Sequence, residues 1–139
     1  MDFIGEISDP SSAGHKWILV ATDYFTKWVE AIPSRKATHQ VVMDFLLNHI
    51  ICRFGVPVKI VSDNAMCFRA KPLMAMCNEY GINLTYSSNY NPQGNGQAES
   101  SNKNLLKIIR RTLEINKKKW GEQLKFAVWA DRITPKRAT

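Results

Sequence analysis

Trp17 to Thr22 reads WILVAT, a run of apolar side chains closed by a threonine, with no polar residue at alternate positions. A strand of that pattern buries both faces and belongs inside a sheet rather than on its rim. The rest of the chain arranges itself around it. Met1 to Ile7 is expected as a first strand, and Asp9 to Gly14 (DPSSAG) is a turn by composition. Asp23 to Lys27 is the connection of a hairpin, with Thr26 and Lys27 near its tip. Trp28 to Ile32 is the third strand, ending at Pro33.

A helix is expected over Thr38 to Phe54, with Thr38 as N-cap and Val41, Val42, Phe45, Leu46 and Ile50 at helical spacing. Gly55 stops it, Pro57 follows, and Val58 to Val61 is a fourth strand. Pro72 to Tyr80 is a short helix whose buried face is expected to hold Leu73, Met76, Cys77 and Tyr80. Gly81 caps it, and Ile82 to Tyr86 is the last strand. A long helix from about Gly96 to Asn116 follows. A final helix over Trp120 to Trp129 is expected to pack through Trp120, Leu124, Phe126, Val128 and Trp129. This order gives an α/β domain, a five-stranded mixed sheet flanked by helices.

The 139 residues are enough for one domain with a substantial core. A net charge of +7 and a pI near 9.5 suit a polyanionic partner, or serve only to keep the surface soluble. No apolar run approaches the roughly 20 residues of a membrane span, so no membrane partner is expected. Asp2 and Glu6 stand where a secretory leader would be basic, so an intracellular protein is expected. Cys52, Cys67 and Cys77 are odd in number and form no CxxC, which excludes a complete disulfide framework and suits a reducing compartment. All three lie among apolar neighbours and are expected as core fillers. His15, His39 and His49 share no ligand spacing with them, which argues against zinc.

The chemistry-bearing residues are carboxylates. Asp63 closes the short apolar run VKIVSD, at the carboxyl end of a strand, where α/β folds place ligand groups. Glu99 follows after 35 intervening residues, delivered onto a helix by the glycine-rich stretch SSNYNPQGNGQAESSN (Ser87 to Asn102). Asp2 sits in the strand-like MDFIG. Asp23 is a rival at a strand end, or a turn-capping aspartate. On the long helix, Glu99, Lys103, Lys107, Arg110 and Arg111 fall on the arc opposite Ala98, Leu105, Leu106, Ile109 and Leu113. That basic stripe is either a solvated face or a track for a phosphate backbone.

MDFIG, ILVATDYFTKWVEA, RFGVP, SDN and YNPQGNGQAE with Asn102 and Lys103, in that order, resemble the catalytic core of the integrases of retroviruses and LTR retrotransposons, most closely those of gypsy-type elements. The resemblance covers essentially the whole chain. It implies a ribonuclease H-like fold and a trio of Asp2, Asp63 and Glu99 that is both catalytic and metal-binding. Two Mg²⁺ or Mn²⁺ ions would be held there, Asp2 bridging both, with no small-molecule cofactor. Implied reactions are DNA 3′-end processing and strand transfer, inserting element DNA into host DNA in the nucleus. Implied partners are element ends, target DNA and further copies of the chain. Tyr90, Gln93, Asn95, Asn102 and Lys103 match positions that approach DNA, and Lys107 and Arg110 extend the stripe; loop hydrogen bonding, aromatic packing and helix solvation are the plainer roles. Ala65 stands where the family has glycine; at φ > 0 an alanine there would cost about 1 kcal/mol. The family's first strand starts earlier and its last helices continue, so residues 1–139 are expected to be a single core domain trimmed at both ends. Another metal nuclease of the same fold, or a decayed or co-opted core that binds DNA without cutting it, are the alternatives.

Overall fold

The structure is a computed structural model that describes residues 1–87, 103, 107–108, 110–111 and 118–133. Five strands form. β1 (Asp2–Ile4), β2 (Trp17–Thr22) and β3 (Val29–Ser34) make an antiparallel sheet in the order β1-β2-β3. β4 (Lys59–Ser62) and β5 (Asn83–Tyr86) pair in parallel. The two groups meet where the Met1 ammonium donates to the Val61 carbonyl at 2.8 Å. Both strand senses are therefore present, as expected, but hydrogen bonding divides the strands into three and two. β1 is short, and its ladder is spent on β2, where Asp2, Phe3 and Ile4 face Val20, Leu19 and Ile18.

β2 is central and has the limits that its apolar run implies. Ile18, Leu19 and Val20 are almost wholly buried. Alternation along the strand sends them to two cores. Ile18 and Val20 pack with Ile4, Val29, Trp120, Leu124, Ala127 and Val128. Leu19 packs on the other side with Val42, Phe45, Leu46, Ile60, Phe68, Leu73, Cys77 and Ile82. Each buried aliphatic or aromatic side chain of this size contributes about 1.5–3 kcal/mol, so β2 is the layer that both cores need.

On the second face lie α1 (His39–Phe45), a π-helical segment (Leu46–Ile51), α2 (Cys52–Phe54) and α3 (Lys71–Tyr80). Thr38 caps α1 through its side chain, which accepts from the Val41 amide. Gly81 ends α3 in the left-handed conformation (φ 72°), where a Cβ is costly. On the first face lies α4 (Trp120–Ile133). Among the described residues no helix is long and apolar enough to cross a membrane.

Side-chain and backbone contacts tie the layers together. Glu30 of β3, only 6 % exposed, accepts from Trp28 Nε1 (2.7 Å), Arg53 Nη1 (2.8 Å) and Arg132 Nη2 (2.9 Å). Arg132 also donates to the Val29 carbonyl and lies over the Trp28 ring. The β1–β2 connection grips the start of α4: Trp120 Nε1 donates to the Asp9 carbonyl, and Ser12 N to that of Lys118. Ser11 Oγ lies 3.0 Å from His15 Nδ1, and both press on Gly121.

Several expectations are corrected. β3 does not stop at Pro33; it runs to Ser34, with Pro33 opposite Ile18. β3 is the rim of its sheet, where a missing N–H is tolerated. Phe126 and Trp129 are 55 % and 58 % exposed, because the buried stripe of α4 is Trp120, Leu124, Ala127, Val128 and Asp131. Helical period, not aromatic character, sets that stripe. Tyr80 is likewise exposed at the end of α3. Of the cysteines only Cys77 is a core residue; Cys52 is exposed and Cys67 half-buried.

Candidate active site

The site begins at the carboxyl end of β4. Ser62 closes the strand, and its carbonyl accepts from the Ser87 amide just beyond β5. The next residue, Asp63, turns the chain: its Oδ1 accepts from the Ala65 amide at 2.9 Å. Asp2 enters from β1, and its carboxyl shares a hydrogen bond with that of Asp63. Burial, then that bond and the charge of Asp63, push the Asp2 carboxyl up to about 7, against the pull of the Met1 ammonium and the Phe3 amide. Burial and the neighbouring Asp63 charge disfavour the ionised form of Asp2, so its carboxyl keeps its proton well above the ordinary aspartate range.

That donor set suits a hard divalent cation. Carboxylate oxygens are the ligands Mg²⁺ and Mn²⁺ prefer, and a cation relieves the repulsion that the proton otherwise screens. Half-buried Cys67 lies beside the pair; its thiol is pushed up by burial and then by Asp63, so it stays protonated and is a poor ligand for such an ion. Among the described residues no group of three His, Cys, Asp or Glu is placed to hold a metal. Glu99, the expected third carboxylate, lies outside the described residues, as do Tyr90, Gln93, Asn95 and Asn102.

Two doubts raised by the sequence close. Ala65 has φ −58° and ψ 147°, an ordinary extended conformation, so no strain attaches to alanine there. Asp23 caps its own turn, accepting from the amides of Phe25 and Thr26 at 2.9 Å each. The Thr26 amide above all holds its carboxyl below the usual range. That is the turn-capping alternative.

Lys103, Lys107, Arg110 and Arg111 are helical and exposed, while Ile108 on the same stretch packs against the core that α4 covers. The described part of the basic stripe thus faces solvent on the side away from the core.

One cluster beside Asp63 was not anticipated. Arg69 donates from Nε to Asn64 Oδ1 at 3.3 Å and stacks its guanidinium 4.8 Å from the centre of the Tyr86 ring. Asn64 Nδ2 donates to the Ser87 carbonyl at 3.3 Å, and Tyr86 Oη to the Phe68 carbonyl at 2.8 Å. The sole signal in the sequence was an arginine a few positions after SDN.

Comparison with known proteins supports the same assignment. Residues 1–92 match the family model described as Integrase core domain. The chain is 37% identical over 127 residues to a Gag-Pol polyprotein of avian reticuloendotheliosis virus, covering 91% of the chain and 11% of that protein. It is 37% identical over 129 residues to the Gag-Pol polyprotein of baboon endogenous virus, covering 92% of the chain and 8% of that protein. The chain thus spans about a tenth of the length of the relatives it matches. In three dimensions it resembles a chain of a simian T-cell lymphotropic virus intasome in complex with the PP2A regulatory subunit B56 gamma. The TM-score is 0.73 at 24% identity, over 93% of this chain and 47% of that one. The fold is ribonuclease H-like. This chain belongs to the integrase core domain family. That family comprises polynucleotidyl transferases that work with divalent metal ions.

Proposed function

We propose that this chain is the catalytic core of an integrase that processes the 3′ ends of element DNA and joins them to host DNA. The observation that carries this reading is the pairing of Asp2 with Asp63 across the seam between β1 and β4. Two acids brought together from separate strands, so close that Asp2 grips its proton more tightly, make sense as ligands waiting for cations.

In this reading Asp2 and Asp63, together with Glu99, would hold two Mg²⁺ or Mn²⁺ ions. When bound, such ions would lower the pKa of the attacking water or hydroxyl and neutralise charge on the phosphoryl oxygens. The rest falls to the chain. Lys103, Lys107 and Arg110 carry the phosphate backbone toward the acids. Tyr90, Gln93, Asn95 and Asn102 meet the DNA near the reacting end. In the first reaction a water oxygen bonds to phosphorus near the element's 3′ end, and the 3′ oxygen departs and takes a proton. In the second the oxygen of that freed 3′-hydroxyl loses its proton and bonds to a target phosphorus, and the target strand's own 3′ oxygen departs and takes a proton, again without a covalent protein intermediate. In this reading the work takes place in the nucleus, where host DNA lies, and in a homo-oligomer, an assembly for which the intasome of the structural relative is the support. The single core domain fits that arrangement as one part of a larger polyprotein product. A decayed, purely DNA-binding core is the weaker reading, because Ala65 brings no strain to the site.

The test is Mg²⁺-dependent disintegration of a branched DNA substrate by the full chain, with Asp63→Asn and Glu99→Gln beside it. Rejoining by the wild type that both substitutions reduce to background supports the reading. Metal-independent activity, or activity indifferent to Asp63, overturns it.

A further inference from the structure

Arg69 is an exposed cation next door to the acid pair, yet the acids do not consume it. The cation that acts on Asp2 is the Met1 ammonium. Arg69 is held by its other contacts: Nε on Asn64 Oδ1, and the flat guanidinium face on Tyr86. The partners are themselves fixed. Asn64 is anchored to the Ser87 carbonyl and Tyr86 to the Phe68 carbonyl. A long flexible side chain is thereby set in one orientation, and the Nη groups donate to no acceptor among the described residues. Arginine held by its Nε edge and ring face presents the remaining edge, a planar pair of donors that matches two phosphate oxygens.

Place matters as much as posture. Asn64 follows Asp63 directly, and Ser87 is the last described residue before the stretch that carries Glu99. The fixed cation is therefore tied to the residue next to Asp63, at the end where β4 and β5 finish, whereas the Lys103–Arg110 stripe belongs to a different element. A strand whose scissile phosphate reaches the acids presents further phosphates on either side of it.

We infer that Arg69 is a phosphate clamp: with Asn64 and Tyr86 as its mount, it grips a DNA backbone phosphate neighbouring the one that reacts. The assignment rests on the proposed integrase reading and adds a positioning residue to it. Its ligand is a phosphodiester, not a base, so it adds affinity and register without sequence preference.

The experiment is fluorescence anisotropy of the full chain with a labelled branched DNA, repeated over a range of salt. Four proteins are compared: wild type, Arg69→Ala, Arg69→Lys and Lys59→Ala. Lys59 is exposed at the opposite end of β4 and controls for loss of charge alone. Arg69→Ala is expected to bind about tenfold more weakly at low salt and to lower the slope of log affinity against log salt by about one. Arg69→Lys keeps the slope but binds more weakly than wild type, because an ammonium neither stacks nor forks. Lys59→Ala changes neither. An unchanged slope in Arg69→Ala, or an equal drop in Lys59→Ala, overturns the clamp while leaving the integrase reading intact. A wild type that shows no salt-dependent DNA binding overturns both.

Discussion

Asp2, at the start of β1, shares a hydrogen bond with Asp63, just past the end of β4, and that contact helps burial raise the Asp2 carboxyl to about 7. The relationship is expensive for an empty site and useful for a loaded one.

Its first consequence is a pH dependence of stability. Between its ordinary value of 3.8 and about 7, the folded chain holds an Asp2 proton that the unfolded chain has released. Stability therefore falls as pH rises through that window, and below it both forms are protonated and the effect is absent. Urea midpoints measured across the window should decline with pH, and the decline should shrink in Asp2→Asn. Mg²⁺ takes the proton's place, so its apparent affinity should rise with pH, by up to about tenfold per unit below the Asp2 pKa. A Mg²⁺-induced rise in Tm that is the same at both ends of the window would show that Asp2 is not a ligand.

A second prediction concerns Glu30. Its carboxylate takes three donors, two of them guanidinium groups, inside the β3–α4 packing. Glu30→Ala strands those charges and should cost about 3 kcal/mol in chemical denaturation. Arg53, with its side chain 46% exposed, can turn to water, which keeps the loss at the lower end. Glu30→Gln should lose less, since its amide oxygen still accepts. A Glu30→Ala protein as stable as wild type would mean that the network contributes nothing.

At Gly121 space decides. A Cβ there would come within 2.8 Å of His15 Nδ1 and 3.1 Å of Ser11 Oγ. Alanine raises helix propensity by about 1 kcal/mol, but displacing the β1–β2 connection costs about 1–3 kcal/mol. Gly121→Ala should therefore be net destabilising, with a shifted His15 ring signal by NMR. A stabilised variant with an unmoved His15 signal would contradict the close packing.

For Ala65 the expectation runs against what the family pattern suggests. Because the residue already sits at φ −58°, Ala65→Gly relieves nothing and only loosens the unfolded chain. It should lose about 0.4–1 kcal/mol, read from urea denaturation. A gain in stability would reveal strain that this backbone does not have.

Much of this arrangement is legible in the residues. WILVAT identifies the central strand because a strand covered on both faces has no polar positions. Thr38 and Gly81 mark helix ends because caps are local chemistry. Asp63 is placed by the rule that strand ends carry ligands. Elsewhere local signals mislead. Pro33 stops a strand only if its nitrogen faces a partner, and β3 lies on the rim. Phe126 and Trp129 look like core by type, yet the turn of α4 aims them outward. Glu30 reads as a surface charge until Arg53 and Arg132, from distant parts of the chain, close on it. The Arg69 mount is invisible for the same reason: Asn64, Tyr86 and Ser87 come together only when β4 pairs with β5.

Pro33 has one more effect. An open sheet margin invites a foreign strand to add itself, and an imide nitrogen in the outermost strand offers no hydrogen to such a visitor. That margin is thereby a poorer template for edge-to-edge pairing with another strand.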